Sequence, residues 1–120
     1  MSAWDPTTAS DAAFALLSNA RRRTVVEHLL DNGGETTRQA LVRAVVEAET
    51  GRPIADAETG LVQDVHISLY HRHLPKLSEH GVVRHDRETG EVVSADNADA
   101  LGEVLESITA SLDAVGEFCE

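Results

Sequence analysis

The chain contains, in direct succession, the segments Val65-His-Ile-Ser-Leu-Tyr-His-Arg-His-Leu-Pro-Lys-Leu-Ser-Glu-His-Gly81 and Val82-Val-Arg-His-Asp-Arg-Glu-Thr-Gly-Glu-Val-Val93. The first segment has apolar residues at helical spacing and ends at a glycine, which predicts a helix and its stop. In the second segment two pairs of valines flank a polar stretch that ends in Gly90, which predicts a hairpin with a charged tip. Together they predict a helix followed by a short β-hairpin.

The predicted helix covers about residues 61–80 and contains a proline in its second half. Pro75 lacks a backbone donor and clashes with the carbonyl group four residues earlier, so a kink or break is expected between His71 and Leu74. The exposed residues best placed to contact a binding partner are then Ser68 through Arg72, before the kink. The apolar side chains expected to form the buried face, at spacings of three, four and three, are Ile67, Tyr70, Leu74 and Leu77.

Three shorter helices are predicted before this segment, at about residues 11–17, 20–31 and 36–50. The first is expected to follow a Ser10 cap and to present Phe14 and Leu17 on one face. The third opens on Thr36-Thr-Arg-Gln39, which matches a capping box, and stops at Gly51. Residues 52–60 are expected to be a long loop, with a helical start from about Asp56 left open as an alternative, and residues 1–10 a flexible N-terminus.

A C-terminal helix is predicted from a cap at Asn97 to about Phe118. Its apolar residues alternate at spacings of four and three, which is typical of a coiled-coil seam and predicts a homodimer through residues 97–118. The alternative is a helix that folds back on its own domain. The single cysteine excludes a disulfide within the chain. The predicted seam consists of Leu101, Leu105, Ile108, Leu112, Val115 and Cys119.

A length of 120 residues corresponds to one ordinary domain, here residues 11–94, followed by the C-terminal helix. The sequence contains no targeting segment and no apolar stretch long enough to span a bilayer, and its cysteine usage fits a reducing compartment. We therefore expect a cytoplasmic protein that has no membrane partner and needs no cofactor.

The formal net charge is −11, from ten basic and 21 acidic residues. Eight acids lie in residues 91–120, which contain no lysine or arginine, whereas residues 61–90 carry four acids and four bases. One lysine against nine arginines, with many acids, resembles the composition of proteins from salt-accumulating halophilic archaea. At molar salt the Debye length is about 3 Å, so acids elsewhere on the surface would barely repel a nucleic acid. The net charge therefore does not exclude nucleic-acid binding. The alternative is an acidic protein that avoids nucleic acids.

The order of three helices, a further helix with its hairpin, and a last helix resembles the winged helix-turn-helix regulators. His73-Leu-Pro-Lys-Leu-Ser-Glu-His-Gly-Val-Val83 is similar to the end of their recognition helix and the first strand of their wing. More narrowly, a family of small haloarchaeal winged-helix proteins of poorly defined function is similar in three segments, over about residues 14–94. These are Leu16-Leu-Ser-Asn-Ala-Arg-Arg-Arg23, Val65-His-Ile-Ser-Leu-Tyr-His-Arg-His-Leu-Pro-Lys-Leu77 and Asp86-Arg-Glu-Thr-Gly90.

The resemblance implies an α+β, mostly α fold, a winged helix-turn-helix with a C-terminal coiled-coil dimerisation helix. The fourth helix would enter the DNA major groove, and the wing would lie beside the flanking backbone. Arg72 is the first candidate, because a guanidinium on an exposed helix face can bind guanine or phosphate through two hydrogen bonds. The candidates are Ser68, His71 and Arg72 at base edges, Lys76 at a phosphate, and Arg84 and Arg87 beside the wing.

Three consecutive arginines, Arg21, Arg22 and Arg23, stand in the first turn of the second predicted helix. Cations at this end of a helix oppose the helix dipole, so an anion is expected to compensate them. An internal carboxylate and a DNA phosphate both remain open as that anion.

Five histidines between residues 66 and 85 raise the question of a metal site. His66, His73 and His80 share a face, but successive members lie about 10.5 Å apart, too far for one ion. We expect no metal site, although one built around His80, His85 and Asp86 remains open. No nucleophile elbow, phosphate loop or similar catalytic motif has a supporting context, so no enzyme is expected.

These observations predict a homodimeric transcriptional regulator, adapted to high salt, that binds double-stranded DNA with a sequence preference. The alternative is a winged-helix module that binds a second regulatory protein and no DNA.

Overall fold

The computed structural model describes the backbone of residues 6–118 and the side chains of residues 11–110. The fold is α+β and mostly helical, with one small antiparallel sheet. A 3₁₀ turn (Ile54–Asp56) occupies part of the predicted loop, and a π turn (Leu69–His73) joins two of the helices. The helices are α1 (Pro6–Leu17), α2 (Ala20–Asp31), α3 (Arg38–Thr50), α4 (Thr59–Ser68), α5 (Leu74–Glu79) and α6 (Ala98–Phe118); the strands are β1 (Glu35–Thr37), β2 (Val83–His85) and β3 (Glu91–Ser94).

The first helix differs from its prediction at its start and on its buried face. It begins at Pro6, before the expected Ser10 cap, so residues 6–10 are helical. Phe14 is 57% exposed, whereas Leu16 and Leu17 are buried. The helix therefore packs with a face that leaves Phe14 outside the core.

The second helix has the predicted bounds, and its start is explained by one side chain. The Asn19 carboxamide oxygen accepts hydrogen bonds from the backbone N–H groups of Arg21 and Arg22, which satisfies two of the free donors at the helix start. Val25 and Leu29 are fully buried, as the helical periodicity predicts.

The predicted capping box at Thr36 is wrong by one residue. Thr36 lies in β1, opposite Val92 of β3, and Thr37 caps α3 by accepting a hydrogen bond from the Ala40 N–H at 3.1 Å. Gly51 ends α3 in the left-handed conformation, as predicted. The strand itself was missed because three polar residues carry no alternating apolar pattern.

The segments α4, the π turn and α5 form one continuous helix over residues 59–79, which we call the long helix. In its π turn the Leu74 N–H donates to the carbonyl oxygen of Leu69, five residues earlier. This wider turn precedes Pro75, which cannot donate and would crowd the carbonyl group four residues before it. The kink predicted between His71 and Leu74 is therefore a π turn rather than a break.

The π turn changes which side chains the long helix buries. Leu69 and His73 are buried together with Leu74, whereas Ile67 is 57% exposed. Tyr70 is only partly buried. The predicted core positions Ile67 and Tyr70 are therefore wrong, because the extra residue in the π turn rotates the first half of the helix relative to the second.

The predicted hairpin is confirmed, with β2 and β3 antiparallel and a tip over residues 86–90. The Gly90 N–H donates to the Asp86 carbonyl oxygen at 2.8 Å, and the Asp86 N–H donates to that of Glu91 at 2.9 Å. β1 pairs with the other edge of β3, so the sheet has the order β1-β3-β2. The hairpin is thereby attached to the start of α3.

The first half of α6 packs against α2 and α1 of its own chain. Leu101 is fully buried and Leu105 is 4% exposed, and Ile108 packs partly buried against the same core. Leu101 and Leu105 therefore belong to an intramolecular core, which corrects their assignment to a coiled-coil seam, whereas the assignment of the partly exposed Ile108 stays a prediction. Leu112, Val115 and Cys119 lie outside the described side chains. None of the helices among the described residues is both apolar enough and long enough to traverse a bilayer.

Candidate nucleic-acid interface

The three consecutive arginines at the start of α2 bind groups of their own chain. The Arg21 guanidinium contacts both carboxylate oxygens of Glu49, with Nε–Oε2 2.6 Å and Nη2–Oε1 3.1 Å. Its Nη2 also lies 3.1 Å from Asp64 Oδ2. Hydrogen bonding to Glu49, the largest cause, raises the pKa of Arg21. An internal carboxylate therefore compensates Arg21, one of the two alternatives left open by the sequence.

Ser68, which was expected at a base edge, forms a hydrogen bond with Arg21 instead. Its hydroxyl accepts a hydrogen bond from Arg21 Nη1 at 2.8 Å and donates to the carbonyl oxygen of Val65 at 3.1 Å. The hydroxyl hydrogen and one lone pair are thus both used within the chain. Ser68 therefore joins α4 to α2.

The other two arginines bind carbonyl groups at the end of α1. Arg22 Nε donates to Leu16 O at 2.7 Å and Nη2 to Ala15 O at 3.1 Å, and Arg23 Nη1 donates to Leu17 O at 2.7 Å. These oxygens carry the negative end of the α1 dipole, which compensates cations placed there. The two side chains thus fix the angle between α1 and α2.

An aromatic side chain with two guanidinium groups lies where α3, the long helix and the hairpin meet. The Arg38 Cζ is 4.8 Å from the centroid of the Tyr70 ring, and the Arg87 Cζ is 5.1 Å from it. The His85 ring meets the Tyr70 ring edge to face, with centroids 5.8 Å apart. We call Arg38, Tyr70, His85 and Arg87 the Tyr70 cluster. Cation–π contacts hold both guanidinium groups in place while leaving their N–H donors available to a ligand.

The hairpin tip is anchored beside this cluster by backbone contacts. The Arg38 N–H donates to the Gly90 carbonyl oxygen at 2.8 Å. Within the tip, the Asp86 carboxylate accepts hydrogen bonds from the N–H groups of Thr89 and Glu88, and these bonds lower the pKa of Asp86. One of the acids beside Arg87 thus helps to form the turn.

His85 is a partly buried member of the Tyr70 cluster. Its Nε2 is buried and has no hydrogen-bond partner among the described residues. Burial, followed by the charges of Arg38 and Arg87, lowers the pKa of His85. The neutral imidazole therefore supports Tyr70 and adds no charge of its own at neutral pH.

The structure places the candidate residues at four different sites. Ser68 lies in the Arg21 contact, and Arg87 lies on Tyr70. Arg84 is exposed on β2. His71, Arg72 and Lys76 are exposed and line a cleft on the side of the long helix that faces the α1–α2 turn.

The sequence reasoning missed Arg38 and placed Tyr70 in the core. Arg38 stood inside the presumed capping box, and its contact with the hairpin depends on the pairing of β1 with β3. Tyr70 is the only tyrosine of the chain and is followed by His-Arg-His. An aromatic residue among bases was the available signal for a surface role.

A second surface has the opposite charge. A groove of about 800 Å³ lies between α2 and α6, and Leu30, Gly102 and Leu105 line its apolar part. Five carboxylates surround it, and none of its lining residues is basic. The groove is therefore negatively charged and would repel phosphate. Its acids are Glu27, Asp31, Asp99, Glu103 and Glu106.

Among the described residues no group of three or more histidine, cysteine or acidic side chains is arranged to hold a metal ion. His80 and His85, which the sequence left open as ligands, have no such arrangement around them there.

Comparison with known proteins gives a match to a family model. Neither the curated proteins nor the solved structures contain a significant match to this chain. One family model, described as a domain of unknown function (DUF7344), matches residues 14–93. This range runs from the middle of α1 to β3, so it contains the Arg21 contact, the long helix and the Tyr70 cluster. Because the match covers more than half of the chain, the protein belongs to the DUF7344 family.

Proposed function

We propose that this protein is a winged helix-turn-helix transcriptional regulator that binds duplex DNA. In this proposal α2, α3 and the long helix form the helical part, the long helix is the recognition helix, and the β2–β3 hairpin is the wing. The sheet order β1-β3-β2 is compatible with that assignment, as is the hairpin directly after the long helix. A recognition helix of this type enters the major groove.

The Tyr70 cluster is the observation that carries the proposal. Its two guanidinium groups come from the start of α3 and from the hairpin tip, and both lie on one ring of the long helix. Within the described side chains, the ion pairs found belong to Arg21, so neither Arg38 nor Arg87 has a carboxylate within 4 Å. Two uncompensated guanidinium groups beside a helix suit DNA phosphates.

The exposed residues next to the cluster are the proposed base-reading side chains. Ile67 precedes Tyr70 by three residues, so the two share one side of the helix, and the His71 ring meets the Tyr70 ring edge to face with centroids 4.8 Å apart. Ile67 is 57% exposed, which suits apolar contact with a thymine methyl group, and His71 can bind a base edge. This face replaces Ser68 as the centre of the proposed readout.

The test is DNA binding measured by fluorescence anisotropy, with sites selected by footprinting on genomic DNA, at about 0.15 M and about 3 M KCl. We expect a sequence-preferring complex at both salt concentrations. Removing one phosphate contact by Arg87→Ala should lower the salt slope by about one. Arg43→Ala removes an exposed arginine of α3 outside the cluster and should leave the slope unchanged. If a sequence-preferring complex forms at neither salt concentration, the proposal is overturned.

We also propose a homodimer formed through α6. Leu101 and Leu105 serve the intramolecular core, so the contact between chains must come from other residues of this helix. The acids of α6 have no basic residue near them in the sequence, so two such helices should repel at low salt. Sedimentation should therefore give a monomer at about 0.1 M salt and a dimer at several molar salt. A monomer at both concentrations contradicts the dimer.

The groove between α2 and α6 favours a second candidate function, binding of a regulatory protein. Its apolar floor and carboxylate rim suit one kind of occupant, a basic amphipathic helix of that partner. An amphipathic peptide of leucines and arginines should bind, and Glu103→Gln with Glu106→Gln should weaken it. Glu88→Gln with Glu91→Gln, an equal charge change at the hairpin, is the control. Equal affinity for both double variants removes this candidate.

A further inference from the structure

A polar cleft of about 480 Å³ lies between the α1–α2 turn and the second half of the long helix. Its volume falls within the range of small-molecule pockets, about 300–1,000 Å³. It contains none of the Tyr70 cluster, and it lies away from the acidic groove. Its principal polar residues are Asn19, Arg22, His71, Arg72, Lys76 and Glu79.

The cleft carries excess positive charge in a protein whose net charge is −11. Three cations, Arg22, Arg72 and Lys76, face one carboxylate, Glu79. Among the described side chains Glu79 forms no ion pair within 4 Å with any of them. The lining of the cleft therefore has an excess of two positive charges, three cations against one carboxylate.

Arg22 forms the inner wall of the cleft and is 7% exposed. Its contacts with Leu16 O, Ala15 O and His73 Nδ1 use three of the five N–H donors of the guanidinium group. Burial, followed by the charge of Arg72, lowers the pKa of Arg22. An anion in the cleft would relieve the repulsion between these two arginines, and Arg22 retains two N–H groups that are not used within the chain.

We propose that this cleft binds a phosphate group. A guanidinium fork and a lysine ammonium together supply the donors that bind phosphate oxygens in proteins. The phosphate can come from a free phosphorylated compound or from a DNA backbone. The proposal does not require the protein to bind DNA, since it concerns the phosphate group alone.

The test is an NMR titration of the full chain with inorganic phosphate, replacing chloride at constant ionic strength so that screening stays equal. We expect saturable shifts of the backbone amides of Ser18, Asn19 and Arg72. The double variant Arg72→Gln with Lys76→Gln changes exposed side chains and should fold normally, which circular dichroism checks. It should bind phosphate at least about tenfold more weakly, since hydrogen bonds to charged groups are each worth about a factor of ten.

The matched control is Arg43→Gln with Arg52→Gln, which removes two exposed arginines outside the cleft and should bind phosphate as the parent does. No saturable shift at these amides in the parent, or equal phosphate affinity in both double variants, overturns the proposal.

Competition between inorganic phosphate and DNA identifies the source of the phosphate group. If phosphate weakens DNA binding of the parent but not of the cleft variant, a DNA phosphate occupies the cleft. If phosphate binds without that effect, the ligand is a free phosphate compound.

Discussion

Nη1 of Arg22 lies 3.2 Å from Nδ1 of His73, and both side chains are almost completely buried. A guanidinium can only donate, so the His73 Nδ1 must be the acceptor and the imidazole must be neutral. Burial, together with the charges of Arg22 and Arg72, lowers the pKa of His73 from 6.5 to about 4. The contact therefore joins α2 to the π turn only while His73 carries no second proton.

The first prediction is a loss of stability in mild acid. Because the pKa of His73 is lower in the folded protein, the unfolded chain takes up its proton first as the pH falls. The stability that depends on a neutral His73 is fully present above pH 6.5. It should be lost progressively between pH 6.5 and about 4, by roughly 3 kcal/mol in total. Urea denaturation at pH 7 and pH 5 measures this loss.

The control for this prediction is His73→Asn, which keeps an acceptor near the Nδ1 position but does not titrate in this range. This variant should be less stable than the parent at pH 7, because the smaller side chain leaves a cavity. Its stability should fall less than that of the parent between pH 7 and pH 5. Equal losses in the two proteins would show that His73 does not cause the acid dependence.

The second prediction concerns the buried arginine itself. Arg22→Met keeps an apolar stem but removes three hydrogen bonds, two of them to the last carbonyl groups of α1. We expect the free energy of unfolding to fall by about 2–3 kcal/mol. Arg23→Met, which removes the single hydrogen bond to Leu17, should cost clearly less. Comparable losses for the two variants would contradict the special role of Arg22.

The sequence predicted those elements whose signals are local. The bounds of α2 agree with the predicted range of residues 20–31, and the hairpin follows from its valine pairs and Gly90. β1 has no local signal, because its three polar residues become a strand only by pairing with β3, far along the chain. Elements defined by distant partners were therefore missed.

Two predictions failed for the same geometric reason. Helical periodicity shows which residues share a face of a helix, but it does not show which face is buried or what it packs against. The π turn adds a residue between the halves of the long helix, which exposes Ile67 although its spacing to Tyr70 is regular. In α6 the same spacing of four and three that favours a coiled coil buries Leu101 and Leu105 in their own domain. The Tyr70 cluster was missed because it depends on both the π turn and the position of β1.

The third prediction tests the junction between the long helix and the hairpin. Gly81 has a φ of 72°, and a Cβ there would lie 2.8 Å from Nδ2 of the buried Asn97, whose amide also donates to the His80 carbonyl oxygen. Gly81→Ala should therefore destabilise the protein by about 2 kcal/mol, from backbone strain and the close contact together. Gly51→Ala is the matched control, because Gly51 has a φ of 69° with open space around its Cβ position. It should cost only the strain, about 1 kcal/mol. Thermal unfolding of both variants decides the prediction, and equal losses would exclude a contribution from Asn97.

The fourth prediction separates sequence readout from general affinity for DNA. Because Ile67 is 57% exposed, Ile67→Ala should change stability by no more than about 0.5 kcal/mol. If Ile67 contacts a thymine methyl group, the ratio of affinities for the footprinted site and a scrambled site should fall roughly five- to tenfold. Binding to the scrambled site should stay unchanged, because Arg38 and Arg87 act on the backbone, whose phosphates are the same in every sequence. Ile67→Leu keeps the apolar reach and should retain most of the preference. An unchanged ratio in Ile67→Ala would move the base-reading face away from this side of the long helix.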